Sequence, residues 1–312
     1  MEKIKEIYGK IPAASIVVPM VIAALINSLI PGLLNIGATS GAIATEDGLN
    51  TLVAITLLCV GGQLTIDRLR LALGRGLTLF LAKWLTSLVL GYIFFRLFGS
   101  AGIFGISALA FVAAISNHNN TIFIAMTRDY GDEYDLASAA ITAIISVPIF
   151  TFISLSMLGI ADISPESIID LILPLAIGIG IGNLDKSVSD FLSKAQAYTM
   201  PFLGFAIGAG IDLMEIFEGG PGGLILAFMT IASSFLISLP ADRLINKRPG
   251  WAAISTYTTA GNALVVPSLV ATIDPTWESF AGLAQAQLGT AVILTSIFIP
   301  IVAGFWHKKF GG

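Results

Sequence analysis

Ser116-Asn117-His118-Asn119-Asn120-Thr121 is a run of polar residues inside an apolar stretch. Gly102 to Ile115 before it is almost wholly apolar, and Ile122 to Met126 after it is apolar again. Polar groups at bilayer depth have no bulk water to bond to, so they are costly unless they line a cavity or are buried in protein. The run therefore predicts a membrane helix broken near the midplane, with polar groups turned toward a ligand. Thr258-Thr259-Ala260-Gly261-Asn262 predicts a second break of the same kind.

The rest of the chain is the frame for these breaks. Of 312 residues, 55% are hydrophobic and only 12% charged, and the mean hydropathy is +0.89. Soluble domains carry about 25% charged residues, so this is an integral membrane protein whose partner is the lipid bilayer. No segment is left over for a soluble domain, and nothing points to a nucleic-acid partner or a cofactor. The net charge of -4 matters less than where the charges fall. The lone Cys59 lies in an apolar run, which suits packing and allows no intrachain disulfide. Lys3, Lys5 and Lys10 followed by an apolar run mimic a secretory signal. The length of that run, about 20 residues, its Pro12 and Pro19, and the comparable spans that follow favour a retained first span.

The apolar segments predict ten spans, roughly 11–30, 49–66, 76–98, 102–127, 135–158, 167–184, 197–217, 222–243, 250–273 and 279–306. The fourth and ninth contain the breaks. With the N-terminus in the cytoplasm, the inside segments hold Lys3, Lys5, Lys10, Arg68, Arg70, Arg75, Arg128, Lys186, Lys194, Arg243, Lys247, Arg248, Lys308 and Lys309. The outside loops hold Arg96 alone, and Lys83 lies within a span. Cytoplasmic loops are enriched in Lys and Arg, so both termini are expected inside.

Weak internal matches link the two halves. Val60-Gly61-Gly62-Gln63-Leu64-Thr65 resembles Ile207-Gly208-Ala209-Gly210-Ile211-Asp212; Pro19 pairs with Pro174; Pro148 pairs with Pro300; and the broken fourth span pairs with the broken ninth. Each half then has five spans, an odd number, so the second enters the membrane from the opposite side. The expected architecture is all-α: two inverted repeats, residues 1–160 and 161–312, with broken helices crossing where the halves meet. That plan points to a secondary transporter.

A broken helix exposes N–H groups that favour anions at one end and carbonyls that favour cations at the other. Asn117, Asn119, Asn120 and Asn262 offer both donors and acceptors, and Thr121, Thr258 and Thr259 add hydroxyls. These residues with His118 are the candidate substrate site; the alternative is that each only caps a helix end. His118 either carries a coupled proton or makes fixed hydrogen bonds as a neutral ring. Asp212 is a candidate for ion coupling as an embedded carboxylate, although it falls near the outer end of its span. Ser116 and Gln287 complete the coupling candidates. Gln63, Gln285, Gln287, Ser138 and Thr142 could face the crossing or join helices to one another. Lys83, seven residues into its span, is expected to snorkel to the inner interface. The pairs Gly178 and Gly182, and Gly204 and Gly208, predict close helix packing rather than a phosphate loop. No metal pattern and no nucleophile elbow is present, so an intramembrane enzyme has little support.

Lys10-Ile11-Pro12 with Val18-Pro19 resembles the opening of the 2-keto-3-deoxygluconate permeases. The resemblance is strongest in Leu173-Pro174, Gly182-Asn183-Leu184-Asp185, Phe191-Leu192-Ser193-Lys194-Ala195, and Pro201-Phe202 through Ala206-Ile207-Gly208 to Ile211-Asp212-Leu213. It continues in Thr290 to Ile297 and Pro300-Ile301. The resemblance implies a cytoplasmic-membrane permease importing a small sugar-acid anion with protons. It also implies a bile-acid/sodium symporter-like fold with core and panel domains. By the repeat, the panel is spans one, two, six and seven. The departures lie at the breaks. Ser116 stands at an acidic position of the family pattern, and of the Thr-Asn-Gly-Gly that follows only Asn119 matches. Gly-Asn-x-Ile-Asp becomes Gly208-Ala209-Gly210-Ile211-Asp212, and Ser-Ala-Gly-Ala becomes Thr259-Ala260-Gly261-Asn262. Losing the acidic residue weakens a carboxylate route for protons, and Ser116, Asn117 and Asn262 could instead bind sodium. The expected function is a proton-coupled symporter of 2-keto-3-deoxygluconate or a close sugar acid, with a sodium-coupled carrier of another small organic anion, or a channel or uniporter, as alternatives.

Overall fold

The structure is a computed structural model that describes residues 14–66, 72–210 and 213–311. Among the described residues it is all-helical, apart from one isolated bridge between Ile103 and Ile106. In chain order the first helices are α1 Ala14–Leu29, α2 Ala38–Ala44, α3 Glu46–Gly61 and α4 Arg75–Phe98. Then come α5 Ala108–Ser116, α6 Asn120–Tyr130, α7 Glu133–Thr142 and α8 Ile149–Met157. The second half holds α9 Pro165–Gly182, α10 Lys186–Ala209, α11 Leu213–Ser233, α12 Ser238–Leu244, α13 Trp251–Ser255, α14 Val266–Ile273 and α15 Glu278–Phe310.

By length and composition, four helical stretches are apolar enough to cross a membrane: Arg75–Phe98, Pro165–Gly182, Gly220–Leu244 and Pro275–Phe310. Two bent pairs raise this to six. Glu133–Ser146 and Ile149–Met157 meet at 57°, and Ala38–Ala44 and Asp47–Gly61 meet at 53°. The sequence predicts an unbroken fifth span, but Pro148 lacks an N–H and stops the ladder, so α7 tightens into a 3-10 turn over Ala143–Ser146 before α8 begins. The predicted eighth span, 222–243, lies within Gly220–Leu244 and passes through a turn at residues 234–237 between α11 and α12 without becoming one of the sharply bent pairs. The helix that carries the predicted seventh span begins ahead of the apolar stretch, at Lys186, because the Asp185 carboxylate accepts from the Ser187 N–H at 2.7 Å and caps the helix there.

Two groups of helices result. In one, α10 packs along α1 and α3, and α9 packs along α3. Glycines set these contacts. A Cβ at Gly178 would lie 2.1 Å from the Leu58 carbonyl oxygen, and one at Gly182 2.2 Å from that of Gly62. A Cβ at Gly204 would meet the Ile16 oxygen at 2.1 Å, and one at Gly208 the Met20 oxygen at 2.0 Å. The backbones therefore touch, as the small-residue pairs lead one to expect. In the other group, α4 packs on α5, α7 and α12, while α15 packs on α11, α13 and α14. This second group holds the breaks. Its apolar centre is α5, every residue of which is buried.

Candidate functional site

Each break is a short non-helical stretch between two helices. α5 starts at a Ser107 cap, whose hydroxyl accepts from Ala110 N–H, and runs to Ser116. Asn117 has ψ near 164° and leaves the helix. Asn119 then restarts it: its side-chain oxygen accepts from Thr121 N–H at 3.1 Å and Ile122 N–H at 3.3 Å. The second break has no such cap. α13 ends at Ser255, Ala260 is extended, and the chain re-enters through a 3-10 turn, Gly261–Val265, that leads into α14.

The two breaks meet. The Asn119 N–H donates to the Thr258 carbonyl at 2.8 Å. The Thr259 hydroxyl donates to the Ala114 carbonyl at 3.4 Å, and the Thr259 N–H donates to the Thr295 hydroxyl of α15 at 2.9 Å. Ser116, Asn117, His118, Thr258, Thr259 and Asn262 are all buried. Ser116 shares a 2.7 Å hydrogen bond with Thr151 of α8. The Asn117 side-chain oxygen accepts from the His118 N–H, leaving its Nδ2 without a partner. His118 Nε2 lies 3.3 Å from the Asn120 side-chain oxygen, which also accepts from the Thr142 hydroxyl. The Asn262 amide donates to the Ser146 carbonyl at 3.0 Å.

Other candidates lie elsewhere. Thr121 is exposed. Gln287 donates to the Gly105 carbonyl in the turn before α5, not to either break. Gln63 bonds Cys59 and Gln196 within the glycine-packed group, and Ser138 bonds the Asp135 carbonyl. Gln285 donates to Leu264, one turn beyond Gly261. Asp212 lies outside the described residues.

Lys83 overturns its expectation. It is 0% exposed and does not reach an interface. α4 holds it against the second break, with Nζ 3.8 Å above the centre of the Tyr257 ring and without a hydrogen-bond partner. The Tyr257 hydroxyl is 2.7 Å from the Ser238 hydroxyl, and Ser238 is 3.4 Å from that of Thr86. The signal for this was present. Lys83, Thr86 and Ser87 share one helix face at i, i+3 and i+4, and a lipid-facing stripe would not carry all three.

At the start of α4, Arg75 binds Asp132 at 2.6 Å and Asp135 at 2.7 Å, and Arg248 binds Asp135 as well. Partial burial works against the Asp132 charge, but the Arg75 guanidinium and the Asp135 N–H outweigh it and hold its carboxyl below the ordinary carboxylate range. This cluster ties α4 to α7 and to the loop before α13.

An open crevice of about 610 Å³ runs between Ala44, Thr45 and Leu49 on one side and Ser268, Thr272 and Glu278 on the other. A second, about 440 Å³, shares Thr272 with it and continues along Val53 and Leu57. A small chamber shares Val53 and Leu57 with the second and reaches Asn262.

Residues 5–312 match the family model described as 2-keto-3-deoxygluconate permease. The chain is 35% identical over 306 residues to 2-keto-3-deoxygluconate permease 1 of Salmonella typhimurium, covering 98% of this chain and 96% of the relative. It is 30% identical over 316 residues to the 2-keto-3-deoxygluconate permease of Enterobacter sp., covering 99% and 95%. It is also 30% identical over 313 residues to that of Escherichia coli O157:H7, covering 98% and 95%. With its apolar helices this makes the chain a multi-pass membrane transporter rather than an enzyme. It belongs to the 2-keto-3-deoxygluconate permease family.

Proposed function

We propose that this protein is a secondary active symporter of the cytoplasmic (inner) membrane that imports a small sugar-acid anion, of the 2-keto-3-deoxygluconate class, together with protons. The observation that carries the reading is the contact between two buried helix breaks, Asn119 N–H to Thr258 carbonyl, ringed by Asn, Thr and His side chains. A sugar acid needs donors for its carboxylate and mixed partners for its hydroxyls. The N-terminus of α6 and the side chains of Asn117, His118, Asn119, Asn120, Thr258, Thr259 and Asn262 supply both, with Thr121 at the rim. The relatives carry 2-keto-3-deoxygluconate in their names.

The glycine-packed helices α1, α3, α9 and α10 act as a panel, and the break-bearing helices act as a core that moves against it by alternating access. The internal sequence matches support two inverted five-span repeats, 1–160 and 161–312, and the basic residues support cytoplasmic termini. In that topology the crevice leading from Thr45 to Asn262 opens outward. Ser116, His118, Gln287 and Asp212 are the coupling candidates from the sequence. Sodium is the competing ion, because Ser116 and Asn117 offer neutral oxygens.

The test is uptake of labelled 2-keto-3-deoxygluconate into proteoliposomes under an inward proton gradient without sodium. Accumulation that collapses with a protonophore is expected. Uptake that only equilibrates would sink the symport reading in favour of a uniporter or channel, and accumulation that requires sodium would replace the proton.

A further inference from the structure

Lys83 is the one Lys or Arg side chain that is fully buried among the described residues. A buried ammonium needs a counter-charge or a full set of acceptors, since an unpaired charge in an apolar interior costs several kcal/mol. Among the described residues Lys83 has no carboxylate within ion-pair distance, and its Nζ has no hydrogen-bond partner. Two features favour a cation there all the same. The Tyr257 ring presents its face at 3.8 Å. The carbonyl end of α5 stops at Ser116, in the break that Tyr257 adjoins through Thr258, and a helix C-terminus attracts positive charge. The environment can thus hold the ammonium but is not built to require it. That is the condition for a group that gains and loses a proton.

The first break itself lacks an alternative. Ser116 to Thr121 include no Asp or Glu, so that break holds no carboxylate. We propose that Lys83 is the coupling group of this transporter: its amine takes up the transported proton from one side and releases it to the other. The step is balanced, an amine plus a proton giving an ammonium, with bulk water on the two sides as source and sink. The proposal rests on the proton-coupled reading above and names the residue that performs it.

The titratable groups facing Lys83 are few. His118, at the first break, lies within electrostatic range of it. Tyr257 lies beneath it. On α12, Asp242 is one turn from Ser238; it accepts from the Asn246 amide and keeps its other oxygen unpartnered. On α7 the only ones are Glu133, Tyr134 and Asp135, at its far end, where Asp135 is held by Arg75 and Arg248. α5 and α8 carry none.

Two measurements on the full-length protein test this. In proteoliposomes with labelled 2-keto-3-deoxygluconate, Lys83→Met should reduce proton-driven accumulation about tenfold or more, while exchange of internal for external substrate persists. Lys83→Arg should do the same, because a guanidinium does not release its proton. Accumulation by Lys83→Met with the wild-type proton dependence would overturn the proposal. Separately, unfolding temperatures of the purified wild type and Lys83→Met should be followed from pH 6 to 10. The two curves should diverge by about 2–4 °C per pH unit over the range in which the folded and unfolded chains differ in protonation at this lysine. Parallel curves mean that the buried lysine stays protonated across this range as it does in the unfolded chain, and the proposal falls whatever the substrate. Diverging curves in a protein that does not transport this sugar acid would uphold the titrating lysine and refute the substrate reading alone.

Discussion

The two helix groups solve the same problem by opposite means. Where α9 and α10 lie on α3 and α1, the contact is backbone on backbone, and glycines at 178, 182, 204 and 208 remove every side chain that would stand in the way. Where α5 and α6 meet the second break, the contact is polar, made of individual hydrogen bonds such as Asn119 to Thr258 and Thr259 to Ala114. Dispersion over a close, smooth interface tolerates no added volume. Hydrogen bonds in a buried break can be made and remade, but each one lost leaves an unsatisfied group.

The largest expected effect is at the glycines. Gly178→Leu or Gly208→Leu forces a side chain where a carbonyl oxygen lies about 2 Å from the new Cβ. The helices must separate, so a loss of about 3 kcal/mol or more is expected, with much reduced yield of folded protein. Thermal unfolding in detergent reads this directly. Stability within about 0.5 kcal/mol of wild type would mean that the helices are not packed so closely.

A sharper cut is possible within the breaks. Asn119→Ala removes the cap of α6 and should cost about 1 kcal/mol. Asn119→Asp keeps a capping oxygen and should keep stability, yet it places a negative charge where the substrate anion is proposed to bind. Uptake should therefore fall in both variants, and unfolding temperature only in the first. Normal uptake by Asn119→Asp would remove Asn119 from the substrate site.

The smallest effect lies in the Arg75–Asp132–Asp135 cluster. The folded-state carboxyl of Asp132 sits below its ordinary value. Its contribution is therefore fully present above about pH 4, the unfolded value, and is lost as the pH falls through the lower folded one. Asp132→Asn should lower stability at neutral pH by no more than about 1 kcal/mol, since Asp132 is partly exposed and surface pairs contribute about 0–1 kcal/mol, and should leave the acid end unchanged, so that the acid limb of the profile flattens. An unchanged acid limb would assign that loss to other carboxylates.

Much of this was legible beforehand. Polar runs inside apolar segments located both breaks, because nothing else explains six polar residues at that depth. The glycine pairs announced the close packing. Three features were not legible. The kink at Pro148 depends on a 3-10 turn that a proline alone does not specify, since Pro19, Pro174 and Pro300 sit inside continuous helices. The start of α10 depends on the Asp185 cap, which a hydropathy window does not register. The fate of Lys83 depends on which way α4 faces. A lysine near a helix end snorkels when lipid is beside it and is trapped when protein is.

By itself, the sequence determined that the chain lives in a membrane, that two helices are broken and where, and to which family it belongs. Those properties follow from composition and from local order along the chain. Only the tertiary structure decided that the two breaks bond to each other, that Gln287 serves the turn before α5, and that Lys83 rests on Tyr257 instead of reaching water. Those outcomes depend on the rotation of each helix about its axis, which is set by the neighbours it packs against and is written in no single segment.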